Sequence, residues 1–281
     1  MKFQRPGAIL STQESDWKLA TSRVTHLGIG AHPDDVEFMA YHGIEECFGA
    51  KEKTFGAVIC TDGSAPPRSG PLSAMSQEEI RRLRQREQLA AAGVGRYGLT
   101  IMLDYPSSTA KDPSDKSLDE DLLKILEATR PEVLYTHNPA DKHSTHVAVV
   151  ARVLRVLREM EPHKRPRTLL GCEGWRNLDW VSDEKKEVLD TGGREHLASA
   201  LSACFDSQIS GGKRYDLAVL GRRRANATFL DSHSVDETSM ATFALDLTRL
   251  MNDHSLTLQD FIDDLVDGMK ARIHKELEPW M

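Results

Sequence analysis

The succession of apolar runs and amphipathic stretches predicts an α/β chain: a mostly parallel sheet with helices on both faces, plus a C-terminal helical extension. Three observations predict it. Short apolar runs rich in β-branched residues recur at residues 24–30, 55–61, 99–105, 132–137 and 167–173, the length and composition of buried strands. Stretches with helical spacing alternate with them. The two segments richest in chemistry, AHPDD and THNPADKHSTH, each begin where a strand ends, which is where open parallel sheets bind ligands.

The elements follow in order. After the first strand, residues 34–49 place Val36, Met39, Ala40, Gly43 and Ile44 near one helical face. The second strand, 55-FGAVICT-61, leads into a loop rich in Gly, Pro and Ser over residues 62–75. A helix is predicted over 76–95, because Ser76 with Glu79 three residues on forms a capping box and Gly93 or Gly95 ends it. Strand 99–105, helix 117–129, strand 132–137, a helix over 143–160 and strand 167–173 complete the alternation. Residues 242–254 and 256–277 read as two amphipathic helices suited to packing or an oligomer surface. No internal repeat is evident.

The bulk numbers set limits. A chain of 281 residues can bury a sizeable core. A net charge of −7 argues against a nucleic-acid partner, and the basic run 81-RRLRQR-86 reads as a solvated helix face. No apolar run approaches the ~18 residues of a transmembrane segment, and the N-terminus lacks a signal-peptide core, so a cytoplasmic location is expected. Cys47, Cys60, Cys172 and Cys204 form no CxxC pair and read as buried thiols.

His32 and Asp35 stand three apart at a strand-to-helix junction and can point into one crevice. His143 and His146, three apart at a helix start, share a face. A His-Asp-His set with an open position suits a catalytic site for a borderline divalent metal. Taken singly, bland readings compete. His32 could be a satisfied core histidine, Asp34 and Asp35 could serve a helix N-terminus, and Asp141 could be a plain N-cap. Two like charges at a buried strand end nevertheless call for a cation, and both motifs sit at strand ends.

AHPDD after a strand with a downstream NPADKHSTH resembles the LmbE-like, PIG-L type N-acetylglucosaminyl deacetylase family, whose motifs are AHPDD and H-x-x-H. The resemblance spans roughly residues 22 to 240. Residues 61-TDGS-64, 84-RQREQLAAAGVG-95 and 199-SALSACFDSQ-208 add to it. It implies a zinc-dependent enzyme, with Fe2+, Mn2+ or Co2+ as other divalent options, that removes the acetyl or acyl group from an N-acyl sugar or conjugate such as an N-acetylglucosamine derivative. It implies a Rossmann-like fold, with residues 1–240 as the deacetylase domain and 241–281 a helical extension packed on it or at a homo-oligomer interface. His32, Asp35 and His146 would hold the metal, Asp34 would be the general base, and His143 would meet the oxyanion or protonate the amine.

The residue chemistry supports these roles on its own terms. A free carboxylate can take a proton from water, and an imidazolium opposite can meet a developing oxyanion. Asp141 is expected to orient His143 and raise its pKa. Arg84, Asp62, Ser64 and Ser107 are candidate substrate contacts, although an exposed helix surface is the commoner fate of an arginine like Arg84. His137 reads as support or packing, and His233 as part of a surface loop.

Three positions depart from the family pattern. Thr145 replaces the carboxylate before the second histidine, Ser107 stands where the family has a sugar-binding aspartate, with Asp104 or Asp112 as substitutes, and Phe205 replaces a histidine. These point to an unusual amide substrate, for which an amidase acting on a non-sugar or thiol conjugate is the alternative. Other classes fit less well. Residues 28-GIGAHP-33 begin like a dinucleotide fingerprint, but Pro33 stands at the third glycine. A two-His, one-carboxylate iron oxygenase shares the ligand set but not the spacing. A binding protein would have no need of Asp34.

Overall fold

The computed structural model describes residues 1–64, 70–231 and 233–281, so parts of the expected loops at 62–75 and 230–237 lie outside the described residues. One sheet contains β1 (Ile9–Thr12), β2 (His26–Gly30), β3 (Phe55–Thr61), β4 (Leu99–Tyr105), β5 (Val133–His137), β6 (Thr168–Cys172), β7 (Glu187–Asp190) and β8 (Ala241–Asp246). Their order is β1-β4-β3-β2-β5-β6-β8-β7. The central five, β4-β3-β2-β5-β6, are parallel, and β1, β8 and β7 extend the sheet antiparallel at its two ends. Gly28 of β2 stands in register with Ala57 on one side and Tyr135 on the other. From β2 the chain runs outward to β3 and β4, and later returns to lay β5 on the opposite side. The loops after β2 and β5 therefore part from each other and open the crevice at which such sheets hold ligands.

The two sheet faces bury separate apolar layers. Leu27, Ile29, Val58, Leu103 and Leu134 look one way, toward the helix Ser144–Glu159. Phe55, Ala57, Ile59 and Tyr135 look the other way, toward Val36, Met39 and Ile44. Each fully buried Leu, Ile or Phe contributes about 1.5–3 kcal/mol relative to exposure, so these layers are the main source of stability. Gly28 and Gly30 sit on the second face because a Cβ there would lie 2.9 Å from Val36 Cγ1 or 3.0 Å from Asp35 Cβ. The glycines thus let a short helix, Asp35–Met39, lie directly on β2 and carry its acidic N-terminus to the crevice.

The capping box holds: Ser76 Oγ accepts from the Glu79 backbone at 3.2 Å and Glu79 accepts from the Ser76 backbone at 2.8 Å, at the start of Gln77–Val94. Gly95 ends that helix. Two expectations need correction. The helix over 34–49 is broken at Ala40 into Asp35–Met39 and Tyr41–Cys47. Arg223 donates to the carbonyls of Glu37 and Phe38, the groups that a continuous helix would pair with residues 41 and 42. The first of the two C-terminal helices is strand β8 over residues 242–246, wedged between β6 and β7, and only a short helix, Thr248–Asn252, follows it. Residues 241–245 are buried on both faces, so their pattern is a continuous apolar run without period two. The second is the helix Leu258–Leu277, which starts at a Thr257–Asp260 capping box. All four cysteines are free, and among the described residues no helix is long and apolar enough to cross a membrane.

Candidate active site

Beyond β2 the backbone turns sharply. Asp34 adopts a left-handed conformation, φ +93°, and ends up buried at the N-terminus of Asp35–Met39. Asp35 Oδ2 accepts the His32 backbone N–H at 2.7 Å and lies 3.1 Å from His32 Nδ1. Beyond β5 a tight turn is held by Asn138, which bonds the Cys172 carbonyl at 3.0 Å and the Ala140 N–H at 3.0 Å. The turn delivers His143 as N-cap of Ser144–Glu159 and His146 in the first turn of that helix. The two loops then meet. Asp35 Oδ1 is 3.3 Å from His146 Nε2, and Asp35 Oδ2 is 3.4 Å from His137 Nε2. The His143 ring stacks on His146 at 4.6 Å and meets His32 edge-on at 4.9 Å.

His146 is held between two carboxylates, Asp35 at Nε2 and Asp141 at Nδ1, 3.5 Å away. Burial disfavours its charged form, but the two acids outweigh burial and push its pKa up to about 10. Burial likewise opposes ionisation of Asp35, and His146, His137 and His32 reverse this, holding it well below the usual carboxylate range. This corner of the crevice therefore favours a positive charge. Neither ring nitrogen of His146 makes a hydrogen bond, although the residue is 1% exposed. Two sets of side chains bring ligand atoms within 4.8 Å of one another: His32, His143 and His146, and Asp35, His137 and His146. Buried nitrogen and carboxylate donors of this kind fit a borderline divalent cation.

The other histidines are already engaged. His137 Nε2 accepts the Ala31 N–H at 3.0 Å. His143 Nδ1 accepts the Thr145 N–H at 3.3 Å, which leaves its proton on Nε2. Burial, with the nearby charges of His146 and His32, lowers the His143 pKa to about 4. Asp141 acts to raise the His143 pKa, as expected, but burial and the two histidines outweigh it, and the expectation that Asp141 orients the His143 ring is corrected. The Asp141 carboxylate accepts the His143 backbone N–H at 2.9 Å and the Trp175 N–H at 2.9 Å, while facing the His146 ring. His143 is a neutral Nε2–H donor at neutral pH.

Asp34 is not a member of either set. Arg84 Nη2 donates to its Oδ2 at 2.9 Å and also to the Pro33 carbonyl. Gln208, with its amide oxygen turned to the guanidinium, accepts from Arg84 Nη1 at 2.6 Å. Arg84 is thus 4% exposed, not the solvated helix residue its neighbours suggest. Burial raises the Asp34 pKa well above the usual carboxylate range, with Arg84 opposing.

These groups share one cavity of about 580 Å³. Of the sequence-predicted substrate contacts, Arg84 and Ser107 line it, whereas Asp62 and Ser64 do not. The Asp62 carboxylate accepts the Ser64 N–H at 3.0 Å. The suggested substitutes for the missing aspartate are also elsewhere: Asp104 is tied to Arg81 at 2.6 Å and Asp112 to Ser114 at 2.6 Å. Thr145 is on the wall, Phe205 is packed beside Phe38 beneath it, and His233 is exposed away from it. Sequence reasoning missed the far wall: Trp175, Lys213, Tyr215, Val219 and Arg222. Tyr215, Ala218, Val219 and Arg222 follow the i, i+3, i+4, i+7 spacing of one helical face, a readable signal in residues 215–228.

Comparison with known proteins agrees with this geometry. Residues 27–157 match the family model PIG-L, described as GlcNAc-PI de-N-acetylase. A comparison with curated proteins finds no match. Among solved structures, the conserved protein TT1542 from Thermus thermophilus is 19% identical, covering 79% of this chain and 94% of that one, with a TM-score of 0.58. GalB, the 4-carboxy-2-hydroxymuconate hydratase from Pseudomonas putida, is 16% identical over 80% and 96%, with a TM-score of 0.60. The N,N'-diacetylchitobiose deacetylase from Pyrococcus horikoshii is 15% identical over 81% and 85%, with a TM-score of 0.63. A hydratase and a deacetylase share the fold, so the fold alone does not select the reaction. Both loops that build the crevice, after β2 and after β5, fall inside residues 27–157, the segment that is similar to the PIG-L family model.

Proposed function

We propose that the chain is a metal-dependent N-deacylase that hydrolyses the amide of an N-acyl amino sugar or related conjugate, with zinc as the metal. The observation that carries this reading is the pairing, in one cavity, of a cluster of metal-ligating side chains, His32, Asp35, His137, His143 and His146, with a separate buried carboxylate, Asp34. His32, Asp35 and His146 would hold the ion, because the facing lone pairs of His137 and His143 are taken by backbone N–H groups. When bound, such an ion acidifies water and polarises the acyl carbonyl.

The chain's own residues account for the proton movements. Asp34 takes a proton from water as the water oxygen attacks the acyl carbon, and its raised proton affinity suits a base that must later release that proton. His143 Nε2–H donates to the carbonyl oxygen as it gains negative charge. The C–N bond then breaks, the proton held by Asp34 passes to the departing nitrogen, and an acid and an amine result. Arg84 and Gln208 fix Asp34, and Asp141 fixes His146. The match to a de-N-acetylase family supports hydrolysis over hydration of a double bond.

The test is primary-amine release from a panel of N-acetylated sugars and conjugates, with bound metal measured on the same protein. The expected result is release by metal-loaded protein that collapses in Asp34→Asn while metal content is retained. Full activity in that variant would remove Asp34 as base, and a His32→Ala protein that kept its metal would remove the ligand set.

A further inference from the structure

Apart from the histidines, the cavity wall carries five cations, Arg84, Lys111, Lys213, Arg222 and Arg223, against three carboxylates, Asp34, Asp35 and Glu173. The whole chain, by contrast, has a net charge of −7. Among the described residues only Arg84 of these five has a carboxylate within ion-pair distance. Three of the five, Lys213, Arg222 and Arg223, come from one stretch of eleven residues on the wall that faces the loops after β2 and β5.

Arg223 is the most telling of them. It is 2% exposed, yet no acid pairs with it, and its Nε and Nη1 have no hydrogen-bond partner. Its Nη2 is taken by the Glu37 and Phe38 carbonyls, and its guanidinium lies 4.5 Å from the Tyr41 ring. A buried guanidinium with idle donors is costly unless a ligand completes it. The next residue toward the N-terminus, Arg222, donates to the Gly174 carbonyl, and the adjacent Trp175 ring carries Lys213 Nζ at 5.6 Å. Trp175 in turn meets Tyr215 edge-on at 5.4 Å. The far wall thus combines an aromatic platform with three cationic groups beside it, the pattern of a seat for a ring that carries an anion.

We propose that the substrate is an N-acyl compound bearing an anionic group, carboxylate or phosphate, on the part remote from the amide, and that Arg222, Arg223 and Lys213 hold that group while Trp175 and Tyr215 cover the ring next to it. This rests on the N-deacylase reading. An acidic protein repels anions at long range, so a local cationic wall also steers such a substrate to the one place where it reacts.

Matched pairs test it: 4-acetamidobenzoate against 4-acetamidobenzyl alcohol, and N-acetylglucosamine 6-phosphate against N-acetylglucosamine. Amine release by metal-loaded protein is expected to favour the anionic member by about tenfold or more in kcat/KM, the scale of one good charge-assisted contact. Whichever pair shows the preference identifies carboxylate or phosphate. Arg222→Gln and Lys213→Gln, both outside the core, should each cut that preference about tenfold through KM, with kcat little changed. Calorimetry on Asp34→Asn protein should show 4-acetamidobenzoate binding more tightly than the alcohol and weakening as salt rises. Equal rates within both pairs, or a preference untouched by both variants, would overturn the anion seat and leave the hydrolase standing. Salt-sensitive binding of the acid with no amine release from any compound would overturn the hydrolase and leave the seat standing. Absence of both binding and preference would overturn the seat.

Discussion

The helix Gln77–Val94 presents two arginines three residues apart, and each ends on an aspartate with a left-handed backbone. Arg81 grips Asp104 with both arms, Nε to Oδ1 at 2.6 Å and Nη2 to Oδ2 at 2.8 Å. Arg84 gives Asp34 a single hydrogen bond at 2.9 Å and shares that nitrogen with the Pro33 carbonyl. Asp104 lies off the cavity, at the end of β4, and its φ is +63°. Asp34 lines the cavity, with φ +93°. Both conformations cost a non-glycine residue roughly 1–2 kcal/mol, so both need support from their surroundings. The difference lies in what is left over. A closed fork uses up its carboxylate and serves the fold, whereas a one-armed grip fixes a carboxylate in place and leaves it capacity to take a proton.

The sharpest way to break this contrast is to neutralise each acid in turn. Asp34→Asn should lower amine release by about 10²–10⁴-fold, the usual worth of a general base. Asp104→Asn should leave turnover alone and lose stability. Equal activity losses in the two would end the distinction. Removing the arginines comes next. Arg84→Met leaves a buried carboxylate without its partner and should destabilise by about 3–5 kcal/mol, read from denaturant midpoints. Arg81→Met should cost about 1.5–3 kcal/mol, because its side chain is 23% exposed and water can replace it. The reverse order would mean that the one-armed pair is the weaker structural element. The smallest effect is expected at Gly7. A Cβ there would lie 2.0 Å from Asp104 Oδ2 and 2.3 Å from Arg81 Nη2, so Gly7→Ala must shift the fork or the N-terminal segment over it. A loss of about 1–3 kcal/mol is expected, as in overpacked cores. A neutral substitution would show that the segment lifts away freely.

What the sequence made legible was local. His32, Asp34 and Asp35 follow one strand, and His143 and His146 follow another, so each motif could be read from a dozen consecutive residues. The five parallel strands could be read for the same reason: each is a short apolar run between turn signals. The rest depended on partners distant in sequence. Arg84 reads as one more surface arginine in a basic run until Asp34, fifty residues earlier, is folded onto it. Asp141 reads as support for His143, two residues on, because nothing in the sequence shows that its carboxylate faces the His146 ring. Strand β8 reads as helix because both its faces are covered, by elements that the local sequence does not reveal. Strands β1 and β7 have four residues each, too few for alternation to register. Trp175 and Lys213 carry no motif at all, since an aromatic and a lysine acquire meaning only when a fold sets one over the other.

Beside Trp175 and Lys213, the far wall is one face of a single helix, through Tyr215, Ala218, Val219 and Arg222, while the catalytic corner hangs from the loops after β2 and β5. Recognition and reaction are therefore mounted on separate parts of the chain. A combinatorial library at those four positions would resculpt one half of the chamber without touching a ligand or a base. Selection from such a library could move the enzyme between substrates while its chemistry stayed constant, and drift at the same four positions would let diverging descendants do likewise.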